Sequence, residues 1–282
     1  MLKKFSLIFV VTCLTGLMAM SIYAEQNVTV MSVWTGAEAE AFEKMVKPFE
    51  EETGIKVEFT GTRDLPAILT TRVEAGNPPD ISVMPNPGQM VEFAKDGELV
   101  DLATFMDTED LQREYSDAWL DLGSYNGKLH AIFISADLKS LVWYNPKAFA
   151  AANYEVPTTW DELMDLSDQM IEEGNIPWAI GVESGAASGW PGTDWIEDIM
   201  LRIASPETYD AWVNHEIAWT NEKVREAFEI FGKIARSNKY VYGGPHAVLT
   251  INFGDSPDAL FTDPPNAYMH RQATFIKSFI LE

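Results

Sequence analysis

Lys139-Ser140-Leu141-Val142-Trp143-Tyr144-Asn145-Pro146-Lys147-Ala148-Phe149 is the stretch on which the fold turns. Leu141 to Tyr144 reads as a short apolar strand. Asn145-Pro146 stops it, because proline has no N–H for a ladder and pushes its neighbour out of the α region. A helical pattern follows at once. The stretch lies near the middle of the 282 residues, between two runs of strand and helix signals. It reads as the first strand of a second lobe, entered by a crossing from the first. The expected fold is therefore α/β, with two lobes, a hinge and a cleft beside the crossing.

Upstream, residues 28–34 are nearly continuous apolar sequence, as in a strand covered on both faces. Thr35-Gly36 turns into a helix whose apolar residues are Phe42, Met45, Val46 and Phe49. Pro48 lies inside it, so a kink or an early end is expected. Gly54 ends it, and residues 55–59 alternate as a strand. This β-α-β unit opens the first lobe. Residues 67–75 read as a helix, residues 80–83 as a strand, and residues 85–88 as a rigid proline-rich loop. Residues 99–105 and 111–120 read as connecting helices, residues 125–128 as a turn, and residues 129–134 as a strand. Downstream, Thr159 with Glu162 is a capping-box pattern, and Leu163, Leu166 and Met170 mark a buried face. Residues 178–182 read as a strand and residues 183–195 as a long loop rich in small residues. Ser205-Pro206 starts a helix, and Val224, Phe228, Phe231 and Ile234 mark another.

Composition narrows the function. Hydrophobic content of 46% and aromatic content of 12% suit a packed globule. A net charge of −23 is poorly suited to nucleic acid or to an anionic membrane surface. Lys3 and Lys4, the apolar residues 5–20 and the small residues before Glu25 read as a secretory signal peptide over 1–24, cut after Ala24. The single cysteine, Cys13, lies inside that segment, so the mature chain has no disulfide and no thiol ligand. The four histidines are scattered, no metal-ligand spacing is present, and no phosphate-cradling loop occurs. Gly181-Val182-Glu183-Ser184-Gly185 misses the nucleophile-elbow pattern by one place. With 43 acidic residues a glycosidase pair stays open, but nothing singles one out.

A binding chemistry remains. Aromatic faces cover the C–H surface of a sugar ring, while carboxylates, amides and arginines take its hydroxyls. Trp34, Asp64, Trp190, Asp194 and Trp195 supply that mix on loops at strand ends. Each has a plainer reading. Trp34 can end a buried strand, and Asp194 can cap a helix beginning at Trp195. Lys139, in an apolar strand, sits at an edge or reaches into the cleft.

Several stretches together resemble the extracellular solute-binding proteins of bacterial sugar ABC transporters. They are Val-Glu-Ala-Gly-Asn-Pro-Pro-Asp-Ile-Ser-Val at 73–83, the crossing with Tyr144-Asn145, and Pro-Thr-Thr-Trp-Asp-Glu-Leu at 157–163. Within that family the likeness is closest to α-glucoside-binding proteins. Residues 139–149, the loop 183–195 and residues 254–272 carry it. The resemblance implies a periplasmic-binding-protein fold of type II that closes on a sugar. It implies delivery to a membrane permease, no catalysis, no cofactor and no metal, a periplasmic location and a monomer. It implies lobes at 25–137 and 138–282, the second incomplete and without its return crossing. The contacts it implies are Trp34, Thr35, Gly36, Asp64, Pro87, Asp137, Trp190, Asp194, Trp195, His270 and Gln272. A secreted glycoside hydrolase or a binding protein for a non-sugar solute are the alternatives.

Overall fold

The computed structural model describes residues 26–280, so the signal-peptide reading of residues 1–24 lies outside the described residues. In the first lobe, β1 (Asn27–Ser32) is followed by α1 (Ala37–Thr53), β2 (Lys56–Gly61), α2 (Leu65–Glu74), β3 (Ile81–Val83) and α3 (Pro87–Asp96). The strands form one parallel sheet in the order β2-β1-β3, with Val30 opposite both Phe59 and Ile81. Two short helices, α4 (Thr108–Glu114) and α5 (Asp117–Leu122), lead to a hairpin of β4 (Ser124–Tyr125) and β5 (Lys128–Leu129). Residues 130–134, expected to extend that strand, run on without strand pairing. Pro48 does not break α1. The helix continues to Thr53, and Gly54 stops it with φ at 74°. The cost is one backbone hydrogen bond, since proline has no N–H to give.

The second lobe begins at β6 (Leu141–Tyr144) and continues with α6 (Pro146–Ala152) and α7 (Trp160–Glu172). Asn145 caps α6 by accepting from the Lys147 and Ala148 N–H groups. Thr159 and Glu162 close the expected capping box on α7. Then come β7 (Trp178–Ala179), α8 (Trp190–Ile203), α9 (Pro206–Val213), α10 (Glu222–Ala235), α11 (Gly244–Thr250), β8 (Met269–Gln272) and α12 (Lys277–Ile280). The sheet order is β6-β8-β7, with β6 antiparallel and β7 parallel to β8. Strand β6 therefore belongs to the second lobe, as its position in the sequence suggested. Its partner is a strand about 130 residues later, with Trp143 opposite His270. The Trp143 indole N–H donates to the Gln272 carbonyl at 2.9 Å.

The two lobes have unequal cores. The second is built on Trp178, Met170, Met200, Val224, Ile234 and Met269, all but sealed from solvent. The first is smaller: Met31, Leu65, Leu69 and Phe93 form its central cluster. Full burial of one such side chain stabilises by about 1.5–3 kcal/mol, so the second lobe carries most of the apolar driving force. Helix α10 buries Val224, Ala227 and Ile234, while Phe228 of the expected face stays exposed.

Candidate ligand-binding site

The ends of β1 and β2 are brought together by a glycine. A Cβ on Gly61 would stand 1.9 Å from the Trp34 carbonyl oxygen, so no other residue lets the two chains pass there. Beyond β1, the Trp34 N–H donates to Ser32 Oγ at 3.2 Å, and the indole packs tilted on Phe42 at 5.6 Å. Trp34 and Thr35 are half-buried and Gly36 is exposed. Gly36 has φ at 55°, which glycine tolerates, and it starts α1. That helix carries Glu38, which pairs with Arg63.

Arg63 and Asp64 stand at the head of α2, and both reach the second lobe. The Arg63 guanidinium lies over Phe253 at 5.4 Å and Phe279 at 5.6 Å. Asp64 Oδ1 accepts the Ala186 N–H at 2.8 Å. Ala186 sits in a built loop. Glu183 Oε1 accepts the Gly185 N–H at 2.7 Å and Oε2 accepts from Asn252 at 2.7 Å, which together hold its carboxyl below the usual range. Ser188 Oγ accepts the Ser184 N–H and donates to the Gly185 carbonyl.

Residues 183–195 are not one long loop. A 3-10 turn at Gly185–Ala187 is followed by α8, which begins at Trp190 with Gly189 as its N-cap and Pro191 in its first turn. Asp194 therefore lies within α8 and caps nothing. Its Oδ2 accepts from Lys139 Nζ at 2.8 Å. That ammonium also sits over the Trp190 ring at 5.1 Å and over Phe275 at 6.0 Å. Trp190 meets Phe253 at 5.1 Å and Phe275 at 5.8 Å. Asp137, exposed on the crossing, accepts from the Thr274 hydroxyl at 2.7 Å. Glu197, one turn along α8, is pushed above the carboxylate range by burial and by Asp194.

Asp64, Asp137, Trp190 and Asp194 thus lie along one seam between the lobes, linked through Arg63, Phe253, Lys139 and Phe275, while Trp34 packs on Phe42 within the first lobe. Three of the other expected residues lie inside the second lobe. Trp195, His270 and Gln272 are each 3% exposed. Trp195 stacks on Phe231 at 5.5 Å and lies under the Arg271 guanidinium at 4.6 Å. Together with Arg271, Val142, Tyr144 and Trp160 it lines a cavity of about 240 Å³ that none of the seam aromatics reaches. Gln272 spends its carbonyl Oε1 on the Ala273 N–H. Pro87 opens α3, which is tied to α2 by Gln89 Nε2 donating to the Pro66 carbonyl at 2.9 Å. Arg63, Phe253, Phe275 and Phe279 were missed. The spacing of the last two, four apart, places them on one side of a turn, which is the signal that could have found them.

Residues 35–254 match the bacterial extracellular solute-binding proteins as a family. The chain belongs to that family. Two curated solute-binding proteins align with most of it. The osmoprotective compounds-binding protein GgtB of Synechocystis sp. is 46% identical over 90% of this chain and 61% of its own length. The alpha-glucosides-binding periplasmic protein AglE of Rhizobium meliloti is 41% identical over 91% of this chain and 57% of its own. The chain thus spans about three fifths of the length of these relatives. Among solved solute-binding proteins, a chitin oligosaccharide binding protein superposes with a TM-score of 0.75 at 23% identity, covering 91% of this chain and 63% of that one. The solute receptor AcbH, whose described preference is for β-D-galactopyranose, superposes at 0.72 and 21%, with the same coverages. At these identities the likeness shows the fold, which is the type II periplasmic-binding-protein fold. Among the described residues no helix is long and apolar enough to cross a membrane, and no cluster of three or more His, Cys, Asp or Glu is placed to hold a metal ion.

Proposed function

We propose that the chain is the extracytoplasmic binding component of a sugar importer, secreted to the periplasm and acting as a monomer. Residues 25–137 and 138–282 form its two lobes. It captures an α-glucoside or a related small glycoside between them and hands it to the permease subunits of an ABC transporter, without catalysis. The observation that carries the reading is the seam itself. One wall offers Asp64, the other Trp190 and Asp194, and the crossing offers Asp137. That is the pairing of ring faces with hydroxyl acceptors that a sugar requires. The substrate class is supported by the alpha-glucosides-binding and osmoprotective compounds-binding relatives.

A hydrolase needs two carboxyls on opposite sides of a scissile bond, one kept protonated. The raised carboxyl here, Glu197, stands on the same helix as Asp194, three residues away. Its charged neighbours, Asp194 and Lys139, both belong to the second lobe. Calorimetric titration with maltose, trehalose and sucrose tests the binding reading. Heat with at least one of them, lost in Trp190→Ala, is the expected result. Silence with all three removes the α-glucoside assignment, and turnover of nitrophenyl glucosides removes the binding-only reading.

A further inference from the structure

Asp64 occupies the N-cap position of α2, yet its side chain makes no capping bond. An aspartate there ordinarily accepts from the second or third N–H of its own helix. Here the carboxylate turns away and accepts the Ala186 N–H, 122 residues distant. The receiving loop fits it closely. Gly185 has φ at 56°, and a Cβ on it would stand 2.8 Å from Asp64 Oδ1. One residue earlier, Arg63 lies over Phe253 and Phe279 while Glu38 holds it from behind. Two consecutive side chains of the first lobe therefore grip the second at adjacent points. Both grips are made wholly of protein groups, so neither needs a ligand.

We propose that Arg63 and Asp64 form a clasp that holds the two lobes closed on one another, and that a ligand entering the crevice takes Asp64 from Ala186. Its second half rests on the capture reading above, while the clasp does not. A charge-assisted hydrogen bond and a cation–π contact are each small on a partly exposed surface. Interlobe motion is governed by differences of a few kcal/mol, so two such contacts are enough to bias it. The ligand then replaces one closing contact with its own, and the gain on binding is the difference between them.

The test needs no sugar. With Cys13→Ser removing the one native cysteine, Glu51→Cys in the first lobe and Lys239→Cys in the second can carry a pair of nitroxide labels in the full-length protein. Pulsed electron resonance then reads the interlobe distance in Asp64→Ala, Asp64→Asn and Arg63→Ala. Expected is one short distance in the labelled parent and a shift to longer, broader distances in Asp64→Ala. Arg63→Ala shifts the same way. Asp64→Asn falls between, because its amide oxygen still accepts the N–H without the charge. Circular dichroism confirms that each variant is folded, and Arg63→Ala serves if Asp64→Ala is not. Distances unchanged in both alanine variants overturn the clasp. Opening on mutation in a protein that binds no sugar leaves the clasp standing and sinks the sugar reading instead.

Discussion

His270 shows what single residues can and cannot reveal. It sits on β8 with Nδ1 2.9 Å from the Ala179 carbonyl, while its buried Nε2 has no hydrogen-bond partner among the described residues. Burial drives its pKa down to about 4. The unfolded chain, near 6.5, takes up the proton first. His270 therefore contributes stability in full above pH 6.5 and loses it as pH falls toward 4, by roughly 3 kcal/mol in all. Denaturant titrations of the parent and His270→Gln at pH 7, 5.5 and 4.5 check this. The gap between them narrows with acid, and a gap independent of pH refutes it. The resemblance to sugar-binding proteins implied a ligand contact here. Its burial is fixed by pairing with Trp143, 127 residues earlier in the chain, which no local pattern announces. Asp64 could be placed at the crevice because it follows the end of a strand, and loops at strand C-termini face the crevice in this class of sheet. Arg63, its neighbour, was not, because its role depends on Phe253 and Phe279 arriving from the other lobe.

At the scale of elements, those set by local chemistry were readable and those set by long-range contacts were not. The capping box on α7, the Asn-Pro stop at β6 and the Gly54 end of α1 all appear where the residues placed them. Trp190 was read into a loop because glycine and proline flank it. Gly189 supplies the left-handed cap and Pro191 the preset φ of a first helical turn, so the same residues start α8. Another misreading, the strand at 129–134, stops at Leu129, where pairing with β4 ends. Two substitutions test the local logic. Thr159→Ala removes the capping box and costs about 1 kcal/mol in a chemical melt, with no effect on sugar binding. Gly61→Ala forces a methyl into the Trp34 carbonyl oxygen. It costs more, about 1–3 kcal/mol, and weakens sugar binding as well, because the Trp34 loop must move. A Gly61→Ala protein that is as stable as the parent and binds equally contradicts the close approach.

At the scale of the whole molecule, the inequality of the two cores has a thermal consequence. The first lobe rests on a sheet of three strands and a core centred on Met31, Leu65, Leu69 and Phe93, whereas the second encloses a much larger apolar cluster. The clasp joins the two lobes across the seam, and the crossing adds the bonds of Asp137 and Leu138 to Thr274. The two lobes then unfold as separate cooperative units, the first at lower temperature. Leu65→Ala, at a position with no solvent exposure, costs about 2–5 kcal/mol and lowers the first transition alone. A ligand that touches both walls adds RT ln(1 + [L]/Kd) to the bound form, about 2.7 kcal/mol at a hundredfold excess over Kd. That stabilisation exists only while both lobes are folded. It therefore raises the weaker transition until the two merge. Differential scanning calorimetry of the full-length protein, alone and with saturating maltose, trehalose or sucrose, reads this directly. Two endotherms converging on one with an effective sugar is the expected record. A single endotherm without sugar that Leu65→Ala moves as a whole would show that the lobes melt together and that the seam couples them more strongly than its contacts suggest.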